Sequence, residues 1–394
     1  MSERANSVIE RCREIALLSE EPGRTTRTFL SPPMQDVHRL LGSWMRNAGM
    51  EVSVDAAGNL RGLRTGRSTG RLVIASHLDT VSNAGRFDGI LGVILGVALV
   101  ESLGDSAARP DIEVIGFSEE EGVRFGIPFI GSRAAAGTLD DAILTPPVLD
   151  AIRAFGLDPA GLPAARLSPE TAAYVEFHIE QGPVLESLGF PLGIVDGIVG
   201  QSRLTLTFAG KANHAGTTPM SHRRDALAAA AEWICAVEKV AQGEPGLAAT
   251  VGSIAVEPNA GNVISGLARV SLDVRHSCDE TRRSAVAQLL ASARRICARR
   301  GIDLSHEQHL DQTAVTLDRR LRETLSRSVE AAGYPVHRMM SGAGHDAMIL
   351  APYVPSAMLF LRSPGGLSHH PNESVIAQDV EAAIEVGLRF ISHV

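Results

Sequence analysis

Polar and apolar positions change period several times along this chain, and each change marks an element. The first twenty residues space their apolar positions as one face of an amphipathic helix. Strand signals follow at residues 51–55, 59–64 and 71–76, with Leu72, Val73, Ile74 and Ala75 forming a short apolar run. Residues 89–103 are apolar on every face, which predicts a buried helix rather than a surface one. Another apolar strand, DIEVIGFS, starts at Asp111, and YVEFHIEQ (174–181) and LGIVDGIVG (192–200) read as strands separated by Gly and Pro. Strands alternating with helices predict an α/β domain on a mixed, mostly parallel sheet.

Between about residues 202 and 310 the texture changes. SRLTLTFAGK alternates as a half-exposed strand does, and RRDALAAAAEWICAVEKV follows as a helix. LAATVGSIAVEP and LARVSLDVRH read as two strands, DETRRSAVAQLLASARRICARR as a second helix and IDLSHEQHL as a last strand. The order strand, helix, strand, strand, helix, strand is that of a ferredoxin-like α+β unit. Helix and strand signals of the first kind resume in LRETLSRSVEAAG, PSAMLFLR and a last helix from about Ala377. The expected organisation is a first domain in two parts, 1–201 and 315–394, with an insertion at 202–314.

Composition narrows the function classes. At 394 residues the chain exceeds the size of one typical core, and 44% hydrophobic residues suffice for two. A net charge of −8 without a long basic run argues against nucleic acid or an anionic membrane as partner. The longest uncharged apolar stretch, 89–100, falls well short of the roughly 20 residues that span a bilayer. The charged N-terminus lacks the apolar stretch of a signal peptide, and Cys12, Cys235, Cys278 and Cys297 show no paired spacing, so a cytoplasmic protein is expected.

The chemistry sits where apolar strands end. His77, Asp79 and Asp88 follow the strand at 71–76, and extended geometry puts Asp79 on the same side as His77, able to accept its second ring N–H. Gly85 and Gly89 let the chain turn Asp88 back toward His77. Glu119, Glu120 and Glu121 end the strand from Asp111, and three adjacent carboxylates repel one another unless cations offset them. Consecutive strand residues face opposite ways, so one glutamate can bind metal while its neighbour handles protons. His178 interrupts a further apolar strand, and His369 and His370 stand in GGLSHHPNES. Three histidines and two carboxylates so placed suit a pair of divalent ions. The chain has no Walker loop, dinucleotide fingerprint or HExxH helix.

With those residues in view, SHLDTV with RFDG, EEEGVRF, EFHIEQGPVLE, NHAGTTPM, GNVISG with LDVRH, SGAGHDA and GGLSHHPNE resemble, in order, the hydantoinase/carbamoylase branch of the M20 metallopeptidase family. That branch contains allantoate amidohydrolases, N-carbamoyl-L-amino-acid hydrolases and β-ureidopropionases. The resemblance implies a metallopeptidase-like catalytic domain, and makes the insertion its lid and dimerisation domain. It also implies two divalent ions, Mn or Zn, with Asp88 bridging, His77 and His178 completing one site, and Glu121 and His369 the other. His369 is preferred to His370 because the family ligand directly follows the serine. Glu120 is implied as general base and His214 as oxyanion donor, in its own or the partner subunit's site. Asn262 and Arg275 are implied to bind substrate, with Gln181 and His345 as further site residues. RTFLSP and GFPLGIVDGIVGQSRL lean toward the allantoate amidohydrolases. The expected reaction is hydrolysis of a ureido C–N bond of a small carboxylated ureide, allantoate to ureidoglycine, ammonia and carbon dioxide.

Overall fold

The computed structural model describes residues 3–104 and 110–394. The strands are, in chain order, β1 (Glu51–Val54), β2 (Leu60–Arg64), β3 (Arg71–His77), β4 (Asp111–Phe117), β5 (Thr171–Ile179), β6 (Leu192–Ile198), β7 (Gly200–Ala209) and β8 (Asn213–His214), then β9 (Ala248–Thr250), β10 (Ile254–Glu257), β11 (Val263–Ile264), β12 (Leu267–His276), β13 (Asp303–Gln312), β14 (Val315–Thr316), β15 (Arg338–Ser341) and β16 (Ser356–Leu361). The α-helices are α1 (Glu3–Ala16), α2 (Pro32–Asn47), α3 (Ile90–Leu103), α4 (Ile130–Ala136), α5 (Pro146–Ala154), α6 (Val184–Leu188), α7 (Ala226–Gln242), α8 (Asp279–Arg300), α9 (Arg319–Ala331), α10 (Asp346–Leu350) and α11 (Ala377–Ile391). The chain divides into two compact units, residues 1–196 with 316–394, and residues 197–315.

The first unit is built on a mixed sheet of order β1-β2-β4-β3-β5-β16-β6-β14, with β15 beside β6. Its middle four strands, β4, β3, β5 and β16, run parallel, and the flanking strands β2 and β6 join them antiparallel. The class is α/β. Leu72, Val73, Ile74 and Ala75 are all fully covered because layers pack on both faces of a central parallel strand. On one face lies a core to which α1, α2, α3, α9 and α11 contribute, including Val8, Leu41, Leu95, Leu325 and Phe390. A smaller core gathers Phe29, Ile130, Val148 and Leu162. Helix α3 is apolar all round and buried along residues 90–100, as a helix enclosed in a core must be. Gly92 and Gly96 let it lie close on the sheet: a Cβ at Gly92 would stand 2.1 Å from the carbonyl oxygen of Phe177. No helix among the described residues is long and apolar enough to cross a membrane.

Helix α2 has no counterpart among the sequence-based elements, although Met34, Val37, Leu41 and Met45 keep helical spacing along its buried face, behind the two prolines of its first turn.

The second unit has a sheet of order β10-β12-β7-β13, with β9 also on β12. Buried positions alternate along β7 (Leu204, Leu206, Phe208) and β12 (Ala268, Val270, Leu272, Val274), so one face packs on α7 and α8. Trp233 of α7 is fully buried and its indole N–H donates to the Leu289 carbonyl at 3.0 Å. The segment LAATVGSIAVEP forms two short strands, β9 and β10, because Gly252 and Ser253 interrupt the run. Both pair antiparallel with β12, and the Ser253 N–H bonds the Ser271 hydroxyl at 2.9 Å.

Candidate metal centre

Each parallel strand delivers its polar residues at the same edge of the sheet, its C-terminal end, where α/β folds gather chemistry. His77 is the last residue of β3, His178 the penultimate residue of β5, and Glu119, Glu120 and Glu121 follow β4. Asp88 stands just before α3, and His369 comes in the loop after β16. All five expected ligands meet there. His77, Asp88 and His178 form one group, and Asp88, Glu121 and His369 another, with the donor atoms of each group within 4.8 Å of one another.

Asp88 belongs to both groups, one oxygen to each. Its Oδ1 lies 3.3 Å from His178 Nε2 and 3.9 Å from His77 Nε2. Its Oδ2 lies 3.2 Å from His369 Nε2, which is 3.3 Å from Glu121 Oε1. The two imidazoles of the first group approach to 3.4 Å. Around an ion with bonds of about 2.0–2.2 Å, tetrahedral ligand atoms stand roughly 3.3–3.6 Å apart. Most of these separations fall at that edge length.

The histidine tautomers are set from behind. His77 Nδ1 faces the Asp79 carbonyl oxygen at 3.0 Å and its carboxylate at 3.4 Å, and His178 Nδ1 faces the Ile179 carbonyl at 2.9 Å. Both Nε2 atoms therefore point into the centre, the atoms that would ligate an ion once free of a proton. Asp79 does more than serve His77: its two oxygens accept the backbone N–H of Glu120 at 2.9 Å and of Glu121 at 3.0 Å, fixing the acidic turn. Gly89 is confined to glycine twice over, by a φ of +66° and by the His77 ring, whose atoms would lie 2.5 Å from a Cβ. Gln181 and His369 also hold left-handed backbones (φ +59° and +54°), strain concentrated at the site.

Charge is unbalanced here. Burial pushes Glu119 up to about 10, and burial with Glu121 alongside holds Glu120 well above the carboxylate range. Asp88 stays below that range although burial opposes it, because His369, His178 and His77 surround it. Hydrogen bonds to Asp88 and Glu121 raise His369 to about 10, while burial lowers His178 to about 4. Glu119 Oε2 and Gln181 Oε1 are buried without hydrogen-bond partners. Divalent cations are the charge such a set calls for.

The remaining expected residues divide between the units. Gln181 donates its amide to both Asp88 oxygens (3.1 and 3.2 Å) and to Ser368 Oγ. His345 is buried edge-on against His178, ring centroids 4.5 Å apart, with Nε2 at 2.9 Å from Ser341 Oγ. His370 is exposed and its Nδ1 accepts the Asn372 N–H, away from the centre. In the second unit, His214 is exposed on the β8–β11 ribbon, where Nδ1 accepts the N–H of Gly216 and Thr217. The Asn262 carbonyl accepts the Ala215 N–H. Arg275 pairs side-on with Asp273, Nε to Oδ1 at 2.8 Å and Nη2 to Oδ2 at 3.1 Å.

Three residues at the centre escaped sequence reasoning. Glu176 shares the β5 face of His178 and lies within ligand distance of it and His345; the i, i+2 spacing in EFHIE was the available signal. Glu373, in the quoted LSHHPNE segment, accepts the backbone N–H of Phe87 and Asp88. Arg27 is buried and donates to the Leu78 carbonyl at 3.1 Å, a contact no local pattern announces.

Residues 73–393 match the model of peptidase family M20/M25/M40. The chain is 38% identical to a probable allantoate deiminase of Oryza sativa subsp. japonica, over 96% of this chain and 86% of that one. It is 39% identical to an N-carbamoyl-L-amino acid amidohydrolase of Geobacillus stearothermophilus, over 96% and 95%. The crystal structure of an amidase of the hydantoinase/carbamoylase family from Burkholderia multivorans superposes with a TM-score of 0.91 at 32% identity, covering 98% of this chain and 97% of that one.

Proposed function

The chain belongs to peptidase family M20/M25/M40, and from that premise we propose that it is a two-metal amidohydrolase that cleaves the ureido C–N bond of allantoate. The observation that carries this reading is the division of Asp88, whose two oxygens face separate donor groups at 3.3 Å and 3.2 Å. His77 and His178 would hold one ion, Glu121 and His369 the other, with Asp88 between them. The spacings match a ligand shell, and the excess of buried carboxylates favours cations. Mixed imidazole and carboxylate donors suit Mn or Zn. When bound, such a pair polarises a carbonyl oxygen and lowers the pKa of water.

The chain's own groups supply the proton transfers and the grip on substrate. Glu120, kept proton-hungry by burial, takes a proton from the attacking water and returns it to the departing ammonia. The carbamate left behind loses carbon dioxide, giving ureidoglycine. Because His214 Nδ1 is occupied by two backbone N–H groups, its proton resides on Nε2, the tautomer that donates to an oxyanion. Arg275 and Asn262 are assigned to the substrate, the guanidinium to its carboxylate. Asp273 already holds Arg275 in a fixed plane, so little rotamer freedom remains to be lost on binding.

An N-carbamoyl-L-amino acid is the second reading, supported by the 39% identity to the Geobacillus relative against 38% to the Oryza one. Ammonia release from allantoate and from N-carbamoyl-L-amino acids, with the enzyme loaded separately with manganese and zinc, separates the two. Turnover of allantoate in preference to the others supports the first reading, and turnover of carbamoyl amino acids alone moves the assignment to the second. Metal-loaded protein that releases ammonia from none of them overturns both.

A further inference from the structure

Glu373 lies four residues beyond His369 and is 3% exposed, yet among the described residues no arginine or lysine pairs with it. Its Oε1 accepts two consecutive backbone N–H groups, Phe87 at 2.9 Å and Asp88 at 3.0 Å. Its Oε2 has no partner. The loop it grips has been shaped around it: a Cβ on Gly85 would lie 2.4 Å from three atoms of the Glu373 side chain. On its own side the carboxylate is held by a tight turn, with the Glu373 N–H on the His370 carbonyl at 3.0 Å and the Asn372 N–H on His370 Nδ1 at 3.1 Å.

The two loops so joined are the ones that carry Asp88 and His369. They are 285 residues apart between Asp88 and Glu373, and their side chains must meet within 3.2 Å. Past Asp88 the chain enters α3, which has Gly89 as its N-cap and no side-chain cap; the carbonyls of Phe87 and Asp88 are held locally by the N–H groups of Leu91 at 3.1 Å and Ile90 at 2.7 Å, whereas their own N–H groups are held from across the chain by Glu373. We infer that Glu373 is a positioning residue: it clasps the Phe87 and Asp88 amides and sets the backbone from which Asp88 reaches both ions. The inference rests on the two-metal reading for its consequence and on hydrogen-bond geometry alone for the clasp.

Two measurements on the full-length protein separate clasp from consequence. In metal-stripped protein, hydrogen exchange of the peptide containing Phe87 and Asp88 should quicken at least tenfold in Glu373→Ala and stay within threefold of the parent in Glu373→Gln, whose Oε1 still accepts. Manganese titration should show the Ala variant weakened about 10- to 100-fold, as loss of a group behind a ligand typically does, with Gln again within threefold. A protein that merely lost packing would show Ala and Gln differing in thermal midpoint with equal manganese affinity. That result overturns the inference, as does unchanged exchange in Ala. If the parent takes up no manganese, the two-metal reading fails while the exchange experiment still decides the clasp. Should Glu373→Ala not fold, Glu373→Asp, one methylene too short to reach both amides, carries the same tests with the same expected losses, and parental behaviour in it overturns the inference.

Discussion

Glu120 and Glu121 are neighbours with opposite assignments, and the division follows from what each faces. Glu121 lies 3.3 Å from His369 Nε2, whereas Glu120 is buried and its backbone is pinned by Asp79. Glu120→Gln keeps the shape and removes the base. It should bind the same two equivalents of manganese and lose about 100-fold to 10,000-fold in turnover, read from paired metal titration and ammonia release. His369 gives a pH test. Asp88 and Glu121 raise it to about 10, so in metal-free protein it is a cation at neutral pH and must surrender its proton to become a ligand. Manganese affinity should therefore rise with pH from 6 to 9, and calorimetry in buffers of different ionisation enthalpy should find proton release; uptake would contradict it. His77, Asp88, Glu121, His178 and His369 stood out in the sequence because each lies toward the end of an apolar strand or in a Gly-rich loop, and the family resemblance chose His369 over His370. Glu373 and Arg27 were not, since each acts through a backbone group that lies far away along the chain.

At the scale of elements, the loop between β3 and α3 bears the tightest constraint. Gly89→Ala asks for a left-handed alanine against the His77 ring. We expect it to cost about 1–3 kcal/mol in stability from backbone strain and to lower manganese affinity at least tenfold, seen by urea unfolding and metal titration. The same substitution at Gly104, which has open space around it, should leave manganese affinity at the parental level. Long helical stretches were readable: α8 covers Asp279–Arg300, the segment expected to be the second helix of its unit, ended by Gly301 in a left-handed C-cap. The period of helix α2 was present in Met34, Val37, Leu41 and Met45 without being among the expected elements, and the β9–β10 break comes at the Gly252-Ser253 step within a segment expected to be one strand.

For the molecule as a whole, the two tryptophans fall one to each unit: Trp44 packs against the core of the first and Trp233 is buried in the second. The proposed ions bind only residues of the first unit. With Trp233→Phe leaving Trp44 as reporter, chelation should lower the thermal midpoint by roughly 5 °C or more, the scale of a ligand at a hundred times its dissociation constant. With Trp44→Phe, the transition reported by Trp233 should not move. The α/β class was readable from alternation of strands and helices, but the sheet order was not, because β16 arrives from the far end of the chain.

That late arrival bears on biosynthesis. Strand β16 occupies the place between β5 and β6, pairing parallel with one and antiparallel with the other. A ribosome has made more than 350 residues before this strand appears, and until then β5 and β6 present open edges that other chains can pair with. His369 emerges later still, so the proposed ions would find their full set of ligands only after β16 has been made. A chain cut just before β16 would keep every other strand of this sheet and still leave it split down the middle.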